Sequence, residues 1–356
     1  MSYCYKDPMG MSDAEKTEHI KKVVMAEGVE LRKRYPILNH QNTIGAFILF
    51  FSLLGMITTA VLYINHQLSA WLTIPLIAFF ASLTHELEHD LIHWMYFRKK
   101  LWAHHLMMGL VWLARPSTIN PWKRRELHFN HHKYSGTEVD LEERALTNGE
   151  RWGVRRLFAI GDNGLAVLFR ILTANNWTVR KVIFKRAFLA YFPLGIIHWS
   201  LWYLFLGFHA IEIVSSLLHM PITWSATTLS IINILNVLVV VWIAPNVLRT
   251  FCLHFVTSNM HYYGDVELGN VIQQTQVLKP WWMIPFQLFC FNFGSTHAIH
   301  HFVVKEPFYI RQMTAPVAHK VMRDMGVRFN DVGTFKRANR WQMGNIVKPD
   351  HVKISD

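Results

Sequence analysis

The placement of lysine and arginine constrains this chain more than any single motif does. None occurs across residues 44–97, a window of 54 residues, or across 187–248, a window of 62. All 36 lie in three blocks, 1–43, 98–186 and 249–356. A membrane-crossing helix needs about 20 predominantly apolar residues, so each window accommodates two spans and a short turn. The expected spans are 44–64, 69–92, 187–208 and 224–247. Charged residues are 17% of the chain, against about a quarter in soluble domains, and the deficit is concentrated in these two windows.

Four spans return the chain to the side on which it started. Segments rich in Lys and Arg favour the cytoplasmic face of a membrane. The turns 65–69 and 209–223 carry no positive charge and are expected outside, while the three basic blocks, with both termini, are expected in the cytoplasm. The net charge of +12 is therefore first a topology signal, and it also suits anionic headgroups or an acidic partner. Nucleic-acid binding finds no support, because the basic residues border apolar spans and form no reader motif. Cys4, Cys252 and Cys290 fit no disulfide, iron–sulfur or haem-attachment pattern. The charged first 34 residues do not read as a secretory signal.

The polar blocks read as helical. Ser12-Asp13-Ala14-Glu15 has the form of a capping box, followed by a helical pattern to about Arg34 with Ile20, Val23, Val24 and Leu31 on one side. Glu18/Lys22 and Glu30/Arg34 are spaced for ion pairs. This helix suits either the cytoplasmic membrane surface or an ordinary packed position. The apolar segments 101–114 and 280–294 are too short to span and suit an interfacial or roofing role. The fold expected for 1–356 is one all-α membrane domain, two hairpins of spans (44–97 and 187–248) carrying a helical cytoplasmic cap built from 1–43, 98–186 and 249–356.

Eight of the 21 histidines fall in three clusters. His85 and His89 form H-x-x-x-H within His85-Glu86-Leu87-Glu88-His89, which alone also fits a zinc-protease helix with Glu86 as base. His128, His131 and His132 form H-x-x-H-H, and so do His297, His300 and His301. Residues three and four apart share a helix face, so each cluster is expected to aim its imidazoles at one point. Eight neutral imidazoles exceed one four-coordinate zinc, and two metals with about four ligands each would use them all. Imidazole suits iron, zinc, copper or nickel. His261 is the best further ligand. His93, Glu88, Asp90, Asp140 and Asp265 are expected to orient ligands from behind, and Asn259 to contribute through water.

Three boxes in this order and topology resemble the membrane fatty-acid desaturase and hydroxylase superfamily, a likeness that covers most of the chain. The resemblance implies a non-haem di-iron centre, with His85, His89, His128, His131, His132, His297, His300 and His301 as ligands and His261 as the additional histidine some members supply. It also implies O2 as co-substrate, a fatty acid or acyl chain as substrate, and an external electron donor of the ferredoxin/ferredoxin reductase type. The Asn259-Met260-His261-Tyr262-Tyr263-Gly264 stretch only partly resembles the alkane hydroxylase element N-Y-x-E-H-Y-G. No H-P-G-G marks a fused haem donor. The chain is most similar in form to compact bacterial members that convert medium-chain fatty acids to terminal alkenes, which implies a bacterial inner membrane.

The chemistry then depends on position. Oxygen return after one abstraction gives an alcohol, abstraction from two neighbouring carbons gives an internal alkene, and abstraction beside the carboxylate-bearing carbon with loss of CO2 gives a terminal alkene. An apolar tunnel must set that position; segments 101–113 and 281–293 are candidates to line it. Arg115, Lys123, Arg124 and Arg311 are candidates to hold a carboxylate. The rivals are an intramembrane zinc protease, which leaves six clustered histidines unexplained, and a metal transporter or sensor, which would spread ionisable groups along the spans.

Overall fold

The computed structural model describes residues 10–137, 139–142 and 150–342; Cys4 lies outside them, and Cys252 and Cys290 are buried and unpaired. The described residues are helical, with two isolated bridges, His261 to Thr275 and Val277 to Phe329. Helix α1 (Asp13–Arg34) starts at the expected capping box, Ser12 Oγ accepting the Glu15 N–H and the Glu15 carboxylate accepting the Ser12 N–H. Its surface pairs form at three-residue spacing instead of four, Glu18 with Lys21 at 3.3 Å and Glu30 with Lys33 at 2.8 Å. Both spacings place side chains on one face, and Lys21 and Lys33 occupy the nearer one.

Helices α2 (Gln41–Ile64) and α3 (Ala70–Ile92) form the first hairpin. At 24 residues α2 is roughly 36 Å long, enough for an apolar layer of about 30 Å. Phe47, Phe50, Leu54, Ile57, Val61 and Ile64 run down its outer face and are exposed, a stripe that lipid would cover. Next come α4 (Leu101–Ala114), α5 (Pro121–Tyr134), α6 (Val154–Gly161), α7 (Asn163–Thr173) and α8 (Trp177–Tyr191). In α4, Met107, Met108 and Val111 are buried whereas Trp102 is 72% exposed.

The second hairpin departs from expectation at both ends. Its first helix, α9 (Leu194–Leu217), begins at 194, not 187. Pro193 has no N–H to continue α8, and Phe192 before it is extended (φ −71°, ψ 139°), as a residue preceding proline prefers. The other helix runs unbroken from Ala226 to Thr257, ten residues beyond the expected end at 247. It comprises α10 (Ala226–Leu238), a π-helical turn (Val239–Ile243) and α11 (Ala244–Thr257). The polar residues Asn246, Arg249, Thr250 and His254 of α11 are buried, so they face protein and not lipid. Among the described residues, four helices are thus long and apolar enough to cross a membrane.

Segment 280–294 breaks into turns at Trp281–Met283 and Ile284–Leu288 before α12 (Phe293–Phe302). Helix α13 (Phe308–Asp324) follows. Ile20 and Val24 of α1 share one buried core with Ala298, Ile299, Ala318 and Met322 of α12 and α13, and Arg32 pairs with Glu306 at 2.5 Å. Of the two placements open to α1, the packed one is observed.

Candidate metal centre

The imidazoles gather into two groups of four, each drawn from several segments. His89, His93, His128 and His300 form one and His131, His261, His297 and His301 the other, with one ring nitrogen from each member within 4.8 Å of the others in its group. Helix geometry explains the division and corrects the expectation that each box aims at one point. Successive helical residues point about 100° apart, so His131 and His132 cannot face the same centre. In the second box His128 and His132 share a face, their Nε2 atoms 3.1 Å apart, and His131 turns to the other group. In the third box His297 and His301 share a face, with Nε2 atoms 3.3 Å apart, and His300 turns to the first group. Each H-x-x-H-H therefore serves both groups.

His132 lies against the first group, its Nε2 3.0 Å from that of His300, while its ring is 5.1 Å from that of His301. His85, one turn before His89, stands apart from both groups, with Nδ1 3.4 Å from Arg115 and its ring 5.6 Å from that of Phe293. His93, expected behind the ligands, is a full member of the first group, Nε2 3.0 Å from that of His128. The signal for it was its four-residue step from His89, which keeps both on one face of α3.

Carboxylates fix two tautomers. Asp140 accepts from His131 Nδ1 at 2.8 Å and Glu142 from His128 Nδ1 at 2.9 Å. A proton held at Nδ1 leaves the Nε2 lone pair facing the group. Glu142 escaped the sequence reading because its fourteen-residue separation from His128 carries no periodic signal. Glu88 pairs with Arg115 and, at 3.3 Å, Arg124. Asp90 accepts from the Phe308 N–H, Tyr96 and Arg311. Asp265 meets the backbone N–H groups of Trp341 and Gln342. Asn259 accepts from Arg156 and donates to the Phe255 carbonyl. These last four hold the frame and make no hydrogen bond to a box imidazole. Glu86 lies 3.6 Å from Arg311.

The segments meet through close backbone contact. Gly264 N–H donates to the Gly136 carbonyl at 2.7 Å, and both glycines have left-handed φ, +85° and +81°. A Cβ on Gly136 would stand 2.2 Å from Val266. This junction ties the loop bearing Asp140 to the loop that follows His261.

Burial, reinforced by neighbouring imidazoles, pushes His128, His297, His300 and His301 well below the ordinary imidazole range, and His93 down to about 2. These five rings are therefore neutral, the form that binds metal. Both nitrogens of His89, Nε2 of His85 and Nδ1 of His300 are buried and meet no hydrogen-bond partner. Orphaned buried nitrogens are rare in folded proteins. Converging lone pairs, neutral rings and orphaned donor atoms fit metal ions.

A cavity of about 1210 Å³ opens against both groups, touching His85, His89, His128, His131 and His297. Its apolar wall includes Ile119, Leu127, Val167, Ile183 and Leu189, from α5, α7, α8 and the loop before α5. Of the segments expected to line it, 101–113 contributes nothing and 281–293 only Phe293. Trp102, Leu106, Trp281 and Ile284 point outward and are exposed.

The fatty acid desaturase family model matches residues 65–333, three-quarters of the chain. No curated protein matches the sequence.

Proposed function

Because the chain belongs to the fatty acid desaturase family, an oxidoreductase family of di-iron enzymes, we propose that it is an O2-dependent oxidase converting medium- to long-chain free fatty acids to terminal alkenes. The observation that carries the reading is the cavity that ends on both histidine groups. His89, His93, His128 and His300 would hold one iron, with His132 at its edge. His131, His261, His297 and His301 would hold the other, while His85, apart from both groups, lines the cavity. Two bound irons supply the reduction of O2 and the removal of hydrogen from an unactivated C–H bond.

The chain's own groups do the rest. Asp140 and Glu142 keep a proton on Nδ1 of His131 and His128, directing the opposite nitrogens inward. The apolar wall holds a linear chain it cannot hydrogen-bond and excludes water. In the overall reaction a hydrogen leaves the carbon β to the carboxylate and the bond to the carboxyl carbon breaks. A double bond then joins the α and β carbons, and CO2 departs. The substrate gives up two electrons, and an external donor of the ferredoxin type supplies two more with two protons, so that O2 becomes two waters. The basic blocks, both termini and the site face the cytoplasm of a bacterial inner membrane in this reading, as Lys and Arg placement favours.

The test is purified protein loaded with iron and given a reductase system, O2 and acids of about C10–C18, with headspace and extract mass spectrometry. Two irons per chain and volatile 1-alkenes are expected. Internal alkenes or alcohols would move the reaction to desaturation or hydroxylation, and a single zinc would overturn the oxidase.

A further inference from the structure

Arg249 is a cation inside a membrane-crossing helix, on α11, and only 1% exposed. Its Nε donates to Asn246 Oδ1 at 3.4 Å and its Nη2 to Thr250 Oγ1 at 3.0 Å. Its Nη1 meets no acceptor. Among the described residues no carboxylate lies within ion-pair distance of it. A buried guanidinium normally has one, because burial strips away the water that stabilises the charge.

The other basic candidates near the site are engaged. Arg115 and Arg124 share Glu88, Lys123 pairs with Glu126, and Arg311 with Asp90 at 3.0 Å. Arg156, also buried at the cavity, is met by oxygens of Glu150, Ser258, Asn259 and Asn339. Arg311 Nη1 is also without an acceptor, but Arg311 has the Asp90 carboxylate beside it. Arg249 alone among these combines a terminal nitrogen without an acceptor with the lack of any carboxylate partner, and only two neutral side chains meet its other nitrogens. It lines the same cavity as His85, His89 and His297.

We propose that Arg249 binds the carboxylate of the substrate, so that a free acid enters head first and its carbons nearest the carboxyl group lie against the histidines. A carboxylate supplies both the missing counter-charge and the missing acceptor, and its two oxygens match the guanidinium fork. An ester, thioester or amide of the same length offers a carbonyl but no charge. Asn246 and Thr250 position the guanidinium from behind. The inference rests on the reading that this cavity takes a fatty chain, and it adds which end goes deep and which chemical class is accepted.

The experiment uses the full chain in detergent at pH 7.5, with dodecanoic acid and dodecanamide titrated by calorimetry with and without iron. Wild type is expected to bind the acid at least about tenfold tighter than the amide, as a charge-assisted pair implies. Arg249→Met should weaken the acid about 10–100-fold and the amide less than about twofold, and Arg249→Lys should fall between. Equal binding of acid and amide by wild type overturns the proposal, as does an unchanged preference in Arg249→Met. Should Arg249→Met fail to fold, the wild-type comparison and Arg249→Lys decide. Products oxidised in mid-chain would also overturn it. A protein that retains no iron yet prefers the acid through Arg249 would uphold this inference while sinking the oxidase reading.

Discussion

His131 and His132 are neighbours in sequence that turn to different histidine groups, and each has its own supporting geometry. Asp140→Asn should release the Nδ1 proton of His131 and weaken metal retention in the second group about 10–100-fold, read as loss of one of two irons in chelator competition. Glu142→Gln should do the same for the first group. A separate effect is predicted at His319, whose Nε2 donates to the Ser295 carbonyl at 2.7 Å and which burial holds down to about 4. Below about 6.5 the unfolded imidazole takes up a proton, whereas the folded one stays neutral until near 4. Between those values the unfolded state binds more protons, so His319 makes stability fall as pH falls. His319→Gln should flatten the slope of unfolding free energy by up to about 1.4 kcal/mol per pH unit in that window, measured by denaturant titration. Box spacing made six of the eight clustered imidazoles legible in the sequence, His93 and His261 lying outside the boxes. Their division between two groups was not, because spacing reports one helix's faces and not which neighbour each face meets.

At the level of elements, the two Lys/Arg-free windows located the hairpins because length and apolarity alone decide what can cross a bilayer. Their edges followed other physics. Residues 187–192 are as apolar as the span that follows, and only Pro193 separates α8 from α9. The π-helical turn at Val239–Ile243 leaves no trace in composition, yet it sets the phase of α11. Inserting one alanine between Ile243 and Ala244, past that turn, should rotate α11 by about 100° relative to α10. Arg249 would leave the cavity, and Cys252, now 4% exposed, would meet a membrane-permeant maleimide. Labelling of the insertion variant but not of wild type, followed by mass spectrometry, is the expected result.

For the whole molecule, four spans predict that reporters fused before residue 10 and after residue 342 report the same side of the membrane, with the turns 65–69 and 218–225 on the opposite side. Opposite signals from the two ends would mean an odd number of crossings. The packing inside the cap was not legible, because its core joins distant segments. Arg32 and Glu306 pair across 274 residues of chain, so the ribosome imposes an order on assembly. At about 5–20 residues per second, α1 waits roughly 14–55 s for the helix that covers it. By residue 132 three of the four histidines of the first group have been made, but only one of the second; the rest come with residues 261, 297 and 301. Synthesis therefore presents three imidazoles of the first group long before three of the second exist, while both groups are completed only within α12.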